Sequence, residues 1–235
     1  MTALPLAGER TVPGLPSENY WFRRHGAAYR FARRVARGRV VDAGSGEGYG
    51  SALLARRAHT VGLDLDPAVV AHAGRRYRGV PFVRADLCHL PLAGGSADAV
   101  VAVQVLEHLH CADGFVEASR RALVPGGALV VSTPNGVTFP PGNPSHVHEY
   151  TGEELEGLLR EHFDDVRLAG VRHAPHLELL ERLLGEPLQH RLVREGYESQ
   201  SPWLRAVLRT VTSRDFRLSA KVDDCIDLFA VAAVR

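Results

Sequence analysis

The sequence predicts an α/β chain on a doubly wound, mostly parallel seven-stranded sheet, and three observations carry that expectation. A β-branched run, Arg39-Val40-Val41, ends in Asp42, a glycine-dense turn and the helix-forming residues 51–55. Apolar runs of strand length then alternate with helix-length segments from 58 to 135, the rhythm of βαβ units rather than of a sandwich. The run 98–103 is apolar after its first residue, as a strand covered on both faces should be.

The turn 42–50 reads D-x-G-x-G-x-G. Glycine belongs where a backbone turns sharply or approaches a ligand with no Cβ in the way. Two ligand classes suit such a loop, dinucleotides and S-adenosylmethionine. The dinucleotide fingerprint G-x-G-x-x-G needs its third glycine at Tyr49 if counted from Gly44, or at Ser51 if counted from Gly46. Neither register fits.

In chain order, residues 1–16 are rich in Pro and Gly and are expected to be loose. Ser17 is placed to cap a helix reaching about Ala36 and carrying Tyr20-Trp21-Phe22-Arg23-Arg24-His25. That helix (17–36) is read as a lid over the ligand pocket, against the alternative of an amphipathic helix packed on the sheet edge. A second strand within 58–67 ends at Asp64, where an acid can accept both hydroxyls of an adenosine ribose, with Leu65 beside it. Asp66 and Pro67 open a helix over 68–77. The third strand, 81–87, ends around Asp86 and Leu87. The fourth runs into 104–109, a helix spans about 112–123, and the fifth strand, 128–135, follows Pro125-Gly126-Gly127.

Residues 136–150 form a loop with His146 and His148 near its end. Thr151 and Glu154 make a capping box for a helix over 152–162, and a sixth strand follows at 166–171. A helical insertion from 177 to about 210, within 175–215, is broken at 185–187 and 201–202. It is expected as a substrate cover, extra scaffold or a dimer surface. The last strand, 225–232, closes a single domain spanning 1–235.

A chain of 235 residues can bury one sizeable core, and 45% hydrophobic with 23% charged residues is ordinary for a globular enzyme. The net charge of +1 excludes a protein built to coat nucleic acid. No apolar run approaches the roughly eighteen residues of a membrane span, and no signal-peptide core opens the chain, so a cytoplasmic address is expected. Cys88, Cys111 and Cys225 form no C-x-x-C, and neither a disulfide framework nor a zinc ribbon is expected.

The glycine loop, Asp64, A-D-L-x-x-L-P at 85–91, V-L-E-H-L at 105–109, P-G-G at 125–127 and S-T-P-N at 132–135 occur in the order shown by the class I S-adenosylmethionine-dependent methyltransferases. Over about residues 17–170 the chain resembles that family, which has a Rossmann-like fold. The resemblance implies that Asp42, Gly44, Ser45 and Gly46 hold the methionine end of S-adenosyl-L-methionine, with Arg24 and His25 as partners for its carboxylate. Asp64 and Leu65 take the ribose, Asp86 and Leu87 the adenine, and Gln104 is a further cofactor contact.

Methyl transfer needs a held sulfonium, a nucleophile in line behind the methyl and a destination for the nucleophile's proton. An aliphatic or sugar hydroxyl attacks poorly until deprotonated, so it calls for a base or a metal. Gln104, Glu107 and His108 stand at i, i+3 and i+4, one face of a helical turn, at the sheet edge where open α/β folds bind ligands. His146 can reach the same crevice from beyond the fifth strand. This set resembles the E-x-x-E-H…H magnesium site of small-RNA 2′-O-methyltransferases and the related site of ubiquinone-pathway O-methyltransferases, with Gln104 in place of the first acid. The resemblance implies Mg²⁺ on Glu107, His108, His146 and Gln104.

Spacing alone leaves His146 and His148 open. Residues 8–11, 18–25, 46–50, 132–135 and 224–228 also resemble the actinobacterial 1-O-methyltransferases of methylmannose polysaccharide synthesis, and that pattern aligns its histidine with His146. The expectation is an O-methyltransferase acting on a hydroxyl of a sugar or small polar metabolite, Mg-assisted, with His146 as base. A metal-free natural-product O- or N-methyltransferase is the alternative, and a cofactor-binding protein without chemistry is a more distant one. The partners expected are a small-molecule or saccharide substrate and a possible second copy in a homodimer, with no nucleic acid and no membrane.

Overall fold

In the computed structural model, which describes residues 11–235, eight strands form one sheet. The expected loose opening falls mainly on residues 1–10, outside the described residues, as does most of the 8–11 motif. Strands β1 (Arg39–Ala43), β2 (His59–Asp64), β3 (Phe82–Arg84), β4 (Ala97–Val103) and β5 (Leu123–Pro134) pair parallel in the order β3-β2-β1-β4-β5. Beyond β5 the sheet continues with β8 (Asp227–Ala233), β6 (Asp165–His173) and β7 (Phe216–Ser219), each antiparallel to its neighbour. The sheet is therefore mixed and eight-stranded, not seven-stranded. The extra strand, Phe-Arg-Leu-Ser, is a short edge piece on which only Phe216 is buried, too brief to show a period in the sequence.

The helices are α1 (Asn19–Ala32), α2 (Tyr49–Leu54), α3 (Pro67–Arg76), α4 (Ala112–Ala122), α5 (Gly152–Arg160), α6 (Pro175–Leu184), α7 (Leu188–Glu195) and α8 (Pro202–Thr210). Local chemistry sets their starts. The Asp66 carboxylate accepts from the Ala68 and Val69 amides at the head of α3, and Thr151 with Glu154 completes a capping box on α5. Alternate residues of β4 feed opposite faces of the sheet: Val100 and Ala102 join one apolar cluster with Leu106, Phe115 and Leu155, while Val101 and Val103 join another with Tyr29, Leu204 and Phe216.

Helix α1 is built into that second cluster. Tyr20, Arg24, Ala27, Ala28, Tyr29, Phe31 and Ala32 are buried along it. The Asn19 amide donates to the carbonyls of Leu208 and Val211, and Arg30 donates to those of Ser213 and Phe216. These bonds fasten α1 to the end of the 175–215 insertion and make it a packed wall of the molecule. It begins after a 3₁₀ turn, Pro16–Glu18, so Ser17 lies inside that turn and does not cap α1, and it ends at Ala32 rather than Ala36.

Cys88 and Cys111 are disulfide-bonded, closing a separation of 23 residues, while Cys225 is free and buried. This corrects the expectation of no disulfide. The turn after β3 and the start of α4 meet at the carboxyl edge of the sheet, a juxtaposition that spacing along the chain does not display. Among the described residues no helix is long and apolar enough to cross a membrane.

Candidate cofactor and catalytic site

Strand order reverses between β1 and β4, and there, beyond the carboxyl ends of the strands, a cavity of about 470 Å³ opens. One wall is the loop between β1 and α2, with Gly44, Ser45, Gly46 and Glu47. Gly46 has φ 50°, and open space lies where a Cβ would stand, so the backbone there is bare toward the cavity. Its amide donates to Asp64 Oδ2 at 2.9 Å, and the Asp66 amide donates to Oδ1 at 3.0 Å. The Asp64 carboxylate is thereby pinned on the rim beside Leu65, with lone pairs left over for a diol.

The opposite wall carries Asp86 and Leu87. Asp86 accepts from the Cys88 amide at 2.9 Å and pairs with His89 Nδ1 at 3.0 Å. The bond from His89, then that from the Cys88 amide, holds this carboxyl below its ordinary range. His25 reaches the cavity from α1, its Nδ1 3.5 Å from the Tyr49 hydroxyl. Burial first, then the charges of Arg24 and His108, pushes this imidazole down to about 3. It meets a ligand as a neutral hydrogen-bonding group, not as a cation.

Two residues expected at the cofactor stand elsewhere. Arg24 is 1% exposed, with its guanidinium on both oxygens of Asp227 and on the Ile226 carbonyl, so it does not reach the cavity. Asp42 is fully buried under the glycine loop, accepting from the Tyr29 hydroxyl at 3.0 Å and Ser51 Oγ at 2.5 Å. Burial raises its carboxyl to about 7 against the lowering effect of those two bonds. Asp42 shapes the loop from beneath and is not among the residues that line the cavity. For Tyr29 to lie there, residue 50 must be glycine, because a Cβ would sit 2.0 Å from its ring.

Gln104 follows β4 with φ 55°, the one non-glycine residue among those described with positive φ. Only Leu106–His108 coils, as a 3₁₀ turn, so the expected helical turn starting at Gln104 does not form. Gln104 lines the cavity, and its Nε2 is directed at Asp227 Oδ1 (3.3 Å) and Ser132 Oγ (3.4 Å).

Glu107, His108 and His146 do converge, each offering a ligand atom within 4.8 Å of the others. The Glu107 side chain is buried and accepts from Thr133 Oγ1 at 2.9 Å, and burial pushes its carboxyl up to about 8. Its carbonyl accepts from the Val147 amide at 2.7 Å, which draws the 136–150 loop over the turn. His108 Nδ1 lies 2.9 Å from the Ser145 carbonyl and must carry the proton there, leaving Nε2 with its lone pair. His108 lines the cavity, and His146 stands behind it, the rings edge to face with centroids 5.0 Å apart. His146 Nδ1 pairs with Glu149 at 3.0 Å and Nε2 meets the Asn143 amide at 2.9 Å. His148 turns away, half-exposed, toward Glu154 at 3.5 Å.

This donor set fits a divalent cation. One carboxylate oxygen and two imidazole nitrogens come together. A carbonyl orients His108 through its other nitrogen and a carboxylate orients His146, whose Nε2 an ion would take over from the Asn143 amide. A cation would draw Glu107 into its ionised form. Two nitrogen donors also admit borderline transition ions alongside magnesium.

Sequence reasoning passed over Tyr29, Glu47 and Asp227. Asp227 had a legible signal, a lone acid inside the apolar run 225–232, buried at 1% exposure.

The methyltransferase domain family matches residues 41–131. A probable S-adenosylmethionine-dependent methyltransferase of Mycolicibacterium smegmatis is 43% identical, covering 98% of this chain and 95% of its own. One from Mycobacterium tuberculosis is 42% identical over 97% of this chain and 89% of its own. The fold is similar to that of a SAM-dependent methyltransferase from Thermotoga maritima, with a TM-score of 0.61 at 17% identity over 92% of this chain and 93% of that one. With a switch-point crevice walled by the glycine loop, Asp64 and Asp86, and full-length relatives at this identity, the chain belongs to the class I S-adenosylmethionine-dependent methyltransferases.

Proposed function

We propose that this methyltransferase is an O-methyltransferase whose acceptor is a hydroxyl of a sugar or other small polar metabolite, a methylated mannoside being the form its sequence resemblance suggests. The observation that carries the reading is the convergence of Glu107, His108 and His146, of which His108 lines the cavity, a set suited to handling the proton of a weakly acidic hydroxyl. The glycine loop, Asp64 and Asp86 hold the cofactor, and orientation of this kind supplies roughly 7–11 kcal/mol of rate enhancement. Glu149 keeps the His146 proton on Nδ1 and raises the basicity of Nε2, as a carboxylate does for the base of a hydrolytic triad. The Asn143 amide, a hydrogen-bond donor at Nε2, marks where an acceptor hydroxyl would deliver its proton. Mg²⁺ bound by Glu107 and His108 would lower the pKa of that hydroxyl while His146 acts as base. With His146 as a third ligand, its one lone pair is taken and it is not the base.

A second reading, a metal-free natural-product O- or N-methyltransferase, is favoured by the burial that pushes the Glu107 carboxyl up to about 8, because a protonated carboxyl beside two imidazoles works as a hydrogen-bonding cluster without a cation. One experiment separates the two: methyl-labelled cofactor offered with methylated mannosides, other sugars and small hydroxyl and amine compounds, with Mg²⁺ and with EDTA. Label entering a saccharide hydroxyl only with the metal supports the first reading. Labelled amines, or turnover that survives EDTA, select the second.

A further inference from the structure

We infer that Asp227 is a positioning residue for the cofactor: together with Arg24 it fixes the side-chain amide of Gln104 so that its oxygen faces the crevice as the acceptor for the α-ammonium of S-adenosylmethionine. The inference rests on the cofactor class and is independent of the acceptor.

Gln104 occupies a backbone conformation that side-chain-bearing residues rarely adopt, and strain of that kind persists only where the surroundings over-determine it. Two elements hold it. Its amide nitrogen donates to the Ser132 carbonyl at 2.6 Å, on β5. Its side chain is held from β8, where Nε2 lies 3.3 Å from Asp227 Oδ1. An ionised carboxylate only accepts hydrogen bonds, so the NH₂ end of Gln104 must face Asp227. The amide is planar, so Oε1 points the other way, and it accepts nothing from any described residue. Gln104 lines the cavity together with Val103 and Val105, which makes that oxygen the free acceptor of its side chain for a ligand there.

Asp227 can serve this way only if it is held in place in the core. Arg24 secures that with a two-pronged contact, Nε to Oδ2 at 2.8 Å and a terminal nitrogen to Oδ1, and with a bond to the Ile226 carbonyl at 3.0 Å. Both side chains are at most 2% exposed. A buried ion pair returns little net stability for its desolvation, so a pair joining residues 203 apart in the chain fits a role in placement. A cationic ligand end suits this wall electrically as well: His25 is neutral and Arg24 is already neutralised by Asp227.

The test is calorimetric binding of S-adenosylhomocysteine, which keeps the ammonium, beside 5′-methylthioadenosine, which lacks the amino-acid end. Asn at 227 can donate as well as accept and frees the Gln104 amide to turn over. D227N should therefore weaken S-adenosylhomocysteine about tenfold, the scale of one hydrogen bond to a charged group, and leave 5′-methylthioadenosine within about twofold. Should D227N fail to fold with Arg24 unpaired, Q104M gives the same reading at similar side-chain volume, with the same selective loss expected. Equal weakening of both ligands reduces the pair to a structural role, and unchanged affinity for S-adenosylhomocysteine overturns the assignment.

Discussion

The Tyr29 hydroxyl donates to Asp42 Oδ1 at 3.0 Å, joining helix α1 to the acid beneath the glycine loop. Both groups are buried, and Asp42 titrates at about 7 instead of the ordinary 3.8. Between those two values the native state holds a proton that the unfolded state has lost. The stability this supplies is complete below the unfolded value and disappears as pH rises through about 7. Asp42→Asn never ionises, so wild type should lose about 3 kcal/mol relative to it between pH 5 and pH 8, at roughly 1.4 kcal/mol per unit. Urea unfolding at the two pH values measures the change. A constant difference would mean that Asp42 is ionised throughout.

Asp64→Ala should weaken S-adenosylhomocysteine binding by roughly 1.5–3 kcal/mol, as the ribose hydroxyls lose a charged acceptor. The Gly46 amide loses its partner as well, so loosening of the loop adds to the effect. Calorimetry with 5′-methylthioadenosine should show a similar loss, because that ligand retains the ribose. Unaltered affinity would remove Asp64 from the cofactor wall.

How far the sequence could be read depends on the distance over which each feature is encoded. The glycine loop, the Asp66 cap, the Thr151–Glu154 box and the buried β4 are settled within a few residues, and each is legible in the chain. Gln104 was misplaced because a helical period was carried back across a residue that takes positive φ, a conformation no side-chain pattern announces. Arg24 looked like a cofactor ligand by its position ahead of the first strand. Its actual partner, Asp227, is 203 residues away and is brought to it by the insertion of β8 between β5 and β6. The Cys88–Cys111 bond has the same origin, in contacts made across the sheet edge.

That bond gives a stability prediction of its own. Closing a 23-residue separation restricts the unfolded chain and should stabilise the protein by roughly 3 kcal/mol. Cys111→Ser or full reduction should lower the unfolding midpoint accordingly. Thiol titration of the unfolded chain should find one free group, Cys225, before reduction and three after it. Three thiols without reductant would show that the pair is open in solution.

Metal dependence is read at Glu107. Chelation should abolish turnover, added Mg²⁺ should restore it, and Mn²⁺ should compete because two of the donors are imidazoles. Glu107→Gln keeps a bond for Thr133 but cannot supply charge, so it should behave like the chelated enzyme while binding S-adenosylhomocysteine normally. Undiminished activity after exhaustive chelation would dismiss the cation and leave the cluster as a hydrogen-bonding and proton-handling device.

His146 carries the last prediction. Its Nδ1 is committed to Glu149 and its Nε2 to the Asn143 amide, so both its tautomer and its direction are fixed before any substrate arrives. Removing such a base typically costs ~10²–10⁴-fold in turnover with little effect on binding, and His146→Ala should fall in that range. Glu149→Gln should lose less, since an amide can still accept from Nδ1 but without charge. His148→Ala should be mild, as that ring faces Glu154 at the surface. Burial lowers the His146 pKa below the ordinary 6.5, and the neutral ring is the active form. The wild-type rate should therefore rise with pH and level off below the usual histidine range. A ligand role would also cost activity, but excess Mg²⁺ partly rescues a weakened metal site and cannot replace a missing base. Near-normal turnover in His146→Ala with a dead His148→Ala would transfer the role to the other histidine.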